Sequence, residues 1–156
     1  MTTVIRTTSE HPDFQALVRL LDQELAVLDG DDHAFYAQFN KLKNITEAVV
    51  AYWDHQPVGC GAFRAFDPET VEIKRMFVQP AFRGQGIAGR VLSELETWAS
   101  ELGFARCVLE TGQKQPEAIR LYQKSGYARI PNFGQYVGVD NSVCMEKVVV
   151  SIQTEK

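Results

Sequence analysis

Gln79-Pro80-Ala81-Phe82-Arg83-Gly84-Gln85-Gly86-Ile87-Ala88-Gly89 is the stretch on which the reading of this chain turns. Before it runs Val71-Glu72-Ile73-Lys74-Arg75-Met76-Phe77-Val78, which reads as a strand with an alternating first half. After it, Ile87, Val91, Leu92, Leu95, Trp98, Ala99 and Leu102 recur at helical spacing, and Gly103 is placed to end that helix. The stretch is therefore a glycine-rich loop that opens a long amphipathic helix. Such a loop can turn several backbone N–H groups toward one point, where the helix dipole also favours an anion, above all a phosphate or pyrophosphate. Arg83 would add a fixed positive charge. The plain alternatives are a connecting turn and a solvated arginine.

Downstream, Ala105 to Glu110 reads as a short strand and Pro116 to Ser125 as a short helix stopped by Gly126. Tyr127 to Ile130 and Val143 to Val150 read as two closing strands. Strand, helix and strand over residues 71–111 form a βαβ unit, so those two strands should be parallel. Upstream, Phe14, Leu17, Val18, Leu21, Leu25 and Leu28 trace a helix with Pro12 near its start. An acidic turn (Asp29-Gly30-Asp31-Asp32) and a second short helix from about Ala34 to Leu42 follow. Ala48 to Trp53 and Val58 to Phe66 then read as an antiparallel pair turned at His55-Gln56-Pro57, with a further turn at Asp67-Pro68-Glu69. The expected architecture is α/β: a mixed, mainly antiparallel sheet with helices on both faces and a central βαβ unit, as a single domain over residues 1–156.

The 156 residues carry 16 Lys+Arg and 20 Asp+Glu, a net charge of 16 − 20 = −4, which argues against a general nucleic-acid binder. With 45% hydrophobic and 23% charged residues the chain is an ordinary globular protein, not a disordered or fibrous one. No segment is long enough to span a bilayer, and the N-terminus lacks a signal-peptide run. Cys60, Cys107 and Cys144 are odd in number, far apart and set among apolar residues, a pattern of reduced, buried cytoplasmic thiols. The scattered His11, His33 and His55 make no zinc motif, and no metal is expected.

Gly84, Gly86 and Gly89 also spell G-x-G-x-x-G, with Glu110 about 20 residues on, as in dinucleotide-binding folds. Against that, four residues separate the strand from the first glycine, half the chain precedes it, and too little follows Glu110 to complete a doubly wound sheet. A different match is fuller. Arg83-Gly84-Gln85-Gly86-Ile87-Ala88 resembles the Q/R-x-x-G-x-G/A signature of the GNAT superfamily of acetyl-CoA-dependent N-acetyltransferases. Gln115-Pro116-Glu117-Ala118-Ile119-Arg120-Leu121-Tyr122-Gln123-Lys124-Ser125-Gly126-Tyr127 resembles that family's N-x-x-A-x-x-L-Y-x-x-x-G-F/Y segment, with Gln115 in place of Asn and Tyr127 in place of Phe. The order of elements is similar along nearly the whole chain.

The resemblance implies that the N–H groups of Gly84, Gln85, Gly86, Ile87 and Ala88 hold the CoA pyrophosphate. It also implies that Met76 and Val78 offer backbone hydrogen bonds to the pantetheine arm, and that an N–H of Phe77 or Val78 meets the oxyanion. Gln115 departs from the usual Asn and caps a helix less well, which weakens its expected contact with CoA. Tyr122 matches the family's tyrosine and is the expected acid that protonates the leaving thiolate; otherwise it packs one end of a short helix. Glu72 is the leading base, pointing away from its apolar neighbours; otherwise it is a surface carboxylate paired with Lys74. Glu110 is a second candidate. The implied reaction moves an acetyl group by direct attack to a primary amine, of a small molecule or an amino-acid-like acceptor. Asp29, Asp31, Asp32, Tyr36, Phe133 and Tyr136 could face the acceptor, and a homodimer would suit the fold. The alternative is a non-catalytic acyl-CoA-binding sensor or partner module.

Overall fold

The computed structural model describes residues 2–29 and 47–149. Strand β1 (Thr2–Thr8) leads into helix α1 (Pro12–Asp29); β2 (Glu47–Trp53), β3 (Gln56–Asp67) and β4 (Thr70–Val78) follow as a meander. Helix α2 (Ile87–Glu101), β5 (Arg106–Gly112), α3 (Pro116–Lys124), β6 (Ala128–Ile130) and β7 (Ser142–Val148) complete it. The seven strands form one sheet in the order β1-β2-β3-β4-β5-β7-β6. Every pairing is antiparallel except β4 with β5. This is the mixed sheet expected, and its single parallel pair excludes the doubly wound fold of the dinucleotide reading.

Helices cover both faces because both faces are apolar. On one side Ile87, Val91, Leu92, Leu95 and Ala99 of α2 pack on Val49, Ala51, Val58, Phe63, Val71 and Ile73 of the sheet. On the other, Phe14, Leu17, Val18 and Leu21 of α1 pack on Ala48, Val50, Cys60, Ala62 and Phe77. Proline opens α1 and α3 where a missing N–H is harmless. Gly103 (φ 97°) and Gly126 (φ 99°) end α2 and α3 in the left-handed region.

One expectation needed adjustment, one strand was not foreseen, and one stretch is not described. β1 carried no recognisable pattern: its burial alternates only loosely along an edge strand. The β2–β3 turn sits at Asp54-His55, not at His55-Gln56-Pro57; both residues take positive φ (47° and 71°), and Gln56 and Pro57 are already in β3. The expected second helix near Ala34 to Leu42, together with Asp31, Asp32 and Tyr36, lies outside the described residues, as does the side chain of Asp29.

The parallel pair creates an opening in the sheet. β4 and β5 are in register only from Thr70–Arg106 to Glu72–Val108. Beyond that point both strands continue, β4 to Val78 and β5 to Gly112, but no longer pair. A gap therefore forms between them, its two sides lined by unpaired strand edges.

Candidate active site

The glycine loop stands at the end of β4. A short 3-10 turn (Pro80–Phe82) leads into it, which is why the first glycine does not come straight off the strand. Gly84 and Gly86 both have φ 81°, a conformation costly for any residue with a Cβ, and Gly86 is the N-cap of α2. A Cβ built on Gly84, Gly86 or Gly89 would meet nothing within 4 Å. Gly84 and Gly86 are thus required by backbone conformation and not by crowding within the fold, and the space above the helix N-terminus is open to a ligand. Arg83, on the same loop, is engaged within the fold. Its Nε donates to the Val78 carbonyl (2.8 Å), its Nη2 to Glu24 of α1 (2.8 Å), and its guanidinium sits over the Phe77 ring (5.6 Å). It ties the loop to α1.

Backbone direction sorts Met76, Phe77 and Val78. The Gln79 N–H donates to the Val58 carbonyl (2.8 Å), so residues 77 and 79 address β3. Val78, and Met76 by the same alternation, turn their polar groups to the opposite edge, which has no strand partner there; the Val78 carbonyl on that edge accepts from Arg83 Nε. The Phe77 amide is therefore occupied in the ladder with Cys60, its register partner.

The gap between β4 and β5 holds a cavity lined by Glu72, Lys74, Arg75, Met76, Glu110, Gln115, Tyr122 and Tyr136, with Leu21 and Leu25 of α1. Tyr122 is on α3, 7% exposed, its ring T-shaped against Tyr127 at 5.9 Å. Burial, helped by the Glu110 charge, pushes its phenol above the ordinary range, so it carries its proton throughout the neutral range. Gln115 caps α3 without a side-chain hydrogen bond, as its length suggested.

Glu72 is not a surface carboxylate: it is fully buried. Arg64 Nε and Nη2 both donate to Oε1 (3.1 and 2.9 Å), and the Tyr136 hydroxyl donates to Oε2 (3.1 Å). Lys74 Nζ lies 3.7 Å from Oε2 and 3.2 Å from the Tyr136 oxygen. Burial holds the Lys74 ammonium below the usual lysine range, the Glu72 charge partly opposing it. Burial likewise pushes the Tyr136 phenol upward. Glu110 accepts from Ser142 Oγ (2.7 Å). Of this cluster the sequence had singled out Glu72 and its neighbour Lys74, Glu110 and Tyr136, but not Arg64 or Arg75. An arginine in a strand carries no sign that its partner is 8 residues away across a hairpin.

The three thiols are buried and free, and burial pushes Cys60 and Cys107 up to about 12 and Cys144 up to about 11. None is a nucleophile at neutral pH. Among the described residues no group of His, Cys, Asp and Glu is arranged to hold a metal ion, and no helix is long and apolar enough to cross a membrane.

These raised values predict alkaline weakness. A thiol or phenol that holds its proton more tightly when folded loses stability as pH climbs past its unfolded value, about 9 for Cys and 10 for Tyr. With the three thiols, Tyr52 (raised to about 12) and Tyr122 all shifted in that sense, the urea midpoint should fall steadily between pH 8.5 and about 11. Lys74 acts in the opposite sense but is one group among several. A flat midpoint over that range would refute the prediction.

The strand edges that part beyond Glu72 and the buried Tyr122 border one cavity, and the open glycine loop follows the first of those strands. The chain resembles known proteins along nearly its whole length. The sequence profile of the Acetyltransferase (GNAT) family matches residues 14–127. The chain belongs to the GNAT family. An IAA acetyltransferase from Azospirillum brasilense is 46% identical over 147 residues, covering 88% of this chain and 94% of the relative. A proposed acyl-CoA N-acyltransferase from Klebsiella pneumoniae superposes with a TM-score of 0.80 at 29% identity, over 96% of this chain and 98% of that one. A GNAT acetyltransferase from Elizabethkingia anophelis, solved with acetyl-CoA bound, shares the fold at a TM-score of 0.70 and 21% identity, over 94% and 97% of the two chains. The protein is thus an acyltransferase enzyme of a family that uses acetyl-CoA, which sets aside the non-catalytic alternative. In this GNAT enzyme the two signatures occupy the starts of α2 and α3, on either side of the gap.

Proposed function

We propose that the protein transfers the acetyl group of acetyl-CoA to the amine of a small-molecule acceptor by direct attack. The observation that carries this reading is the cavity between the diverging β4 and β5, lined by both the protonated Tyr122 phenol and the buried Glu72 network. The glycine loop is open where a pyrophosphate would sit, and the Val78 N–H and the backbone of Met76 face the opening along the way in, the Val78 carbonyl being taken by Arg83. Residues Gly84, Gln85, Gly86, Ile87 and Ala88 would hold the pyrophosphate, with Gln115 at the far wall. Acetyl-CoA supplies the activated thioester; this chain supplies orientation and the handling of two protons.

A free alkyl amine has a pKa near 10.4, so about one molecule in 10³ is neutral at pH 7; removing that proton corresponds to roughly 4–5 kcal/mol. Glu72 is the proposed proton acceptor, its carboxylate becoming neutral as it takes the amine proton, with Tyr136 hydrogen-bonded to Oε2 and holding it in place. As the amine nitrogen bonds to the carbonyl carbon and the C–S bond breaks, the Tyr122 hydroxyl gives its proton to the departing sulfur. The Val78 N–H is the better-placed oxyanion donor, since that of Phe77 faces β3. Buried free thiols support a reducing, cytoplasmic setting.

Isothermal titration with acetyl-CoA, followed by an amine screen read by free-thiol release, tests the reading. Saturable binding and turnover support it, and a folded protein that binds no acetyl-CoA sinks it. Gly86→Ala should weaken acetyl-CoA about tenfold, because the left-handed residue then carries a penalty of about 1–2 kcal/mol and its Cβ enters the open space. An unchanged Kd would remove the loop from the cofactor site.

A further inference from the structure

Arg75 stands where β4 breaks its own regularity. Its φ of 61° is in the left-handed region, and the register with β3 jumps across it, from Cys60–Phe77 to Ala62–Lys74. Such a bulge re-aims a side chain. The Arg75 side chain goes toward α1, where Nη2 donates to Asp22 Oδ1, and it lines the same cavity as Glu72 and Tyr122. It is only 1% exposed, whereas Asp22 is 52% exposed. Nε and Nη1 are buried and have no hydrogen-bond partner among the described residues. Those two nitrogens carry three of the five guanidinium N–H bonds. A buried charged donor left unpaired is strongly unfavourable, and such groups are retained where something comes to meet them.

The nearby carboxylates are already engaged. Glu72 is held by Arg64 and Tyr136, and Glu110 accepts from Ser142. What Arg75 Nε and Nη1 lack is a second acceptor beside Asp22, and one carrying negative charge would meet them from the cavity side. A single guanidinium that already shares one nitrogen with Asp22 suits one negative charge better than two, which favours a carboxylate over a phosphate. Leu21 and Leu25, beside it on the cavity wall, offer apolar contact to the remainder of such a molecule.

We propose that Arg75 receives a carboxylate of the acceptor, so that the enzyme acts on amines of amino-acid type, with the carboxylate on Arg75 and the amine toward Glu72. The proposal rests on the acetyltransferase reading of the same cavity.

Matched pairs test it: leucine with 3-methylbutylamine, phenylalanine with 2-phenylethylamine, and lysine with cadaverine, assayed by thiol release. The acid member of at least one pair should be preferred in kcat/KM by tenfold or more. Arg75→Gln should shrink that preference about 10- to 100-fold, chiefly through KM, with Arg75→Lys in between. Equal use of acid and amine, or a preference unchanged in Arg75→Gln, would overturn the proposal. A binding arm does not depend on turnover: N-acetylleucine, N-acetylphenylalanine and N-acetyllysine are titrated into wild type and Arg75→Gln with CoA present. At least one should bind wild type, and bind the variant at least tenfold more weakly; equal affinities, or no binding to wild type, count against Arg75. Acetyl-CoA titration reports separately on the acetyltransferase reading, so the two can fail independently. A variant that melts at a different temperature yet keeps the same preference would show that Arg75 is met from within the protein, which also overturns the proposal.

Discussion

Tyr122→Phe is expected to lower kcat by about 10²–10³-fold, the range over which a positioned general acid acts, while the Kd for acetyl-CoA changes by less than about threefold. The phenol is buried, packs edge-on against Tyr127 and lines the cavity, so Phe preserves shape and packing and removes only the hydroxyl. Folding should be nearly untouched. A loss confined to kcat identifies an interaction made in the transition state. The burial that raises this pKa also explains how a weak acid is kept protonated for the step. If kcat in single-turnover measurements is unchanged, Tyr122 is a packing residue and the thiolate leaves without its help.

Glu72→Met should be the most destabilising single change in the site. The carboxylate is fully buried, accepts from Arg64 and Tyr136, and lies 3.7 Å from the Lys74 ammonium. Removing it strands two positive charges, one of them on Lys74, itself buried. Breaking a buried ion pair from one side costs about 3–5 kcal/mol, a large share of the roughly 5–15 kcal/mol that stabilises a typical domain. The melting temperature should drop by roughly 10 °C or more. Replacing Arg64, Glu72 and Lys74 together by Met should recover most of that loss, because desolvated charges contribute little net stability. Activity should be lost in both variants. Recovery of activity with stability in the triple variant would show that the network serves folding alone and that Glu72 is not the base.

Much of the scaffold was legible because its signals are local. The α2 stripe from Ile87 to Ala99, the prolines opening α1 and α3, and the left-handed glycines at 84, 86, 103 and 126 each follow from spacing or from backbone sterics within a few residues. β1 was not legible, since an edge strand half exposed to solvent has no strong alternation to show. The β2–β3 turn was misplaced by about a residue because Asp54 and His55 adopt positive φ without a glycine to announce it.

In the site the same division holds. The loop glycines and Tyr122 could be named from the chain because their motifs are contiguous and a helix start imposes its own geometry. The sequence by itself determined where an anion could meet a helix N-terminus and which tyrosine follows it. Only the tertiary structure decided that Arg83 is spent on Val78 and Glu24, that Glu72 is buried under Arg64, Tyr136 and Lys74, and that Arg75 turns into the cavity with donors to spare. Those facts depend on a bulge in β4, on the register across a hairpin and on the packing of α1. Of the groups that hydrogen-bond the Glu72 carboxylate, Arg64 is 8 positions away and Tyr136 is 64. Charge placement of that kind is set by the distances of the folded chain, and no local spacing encodes it.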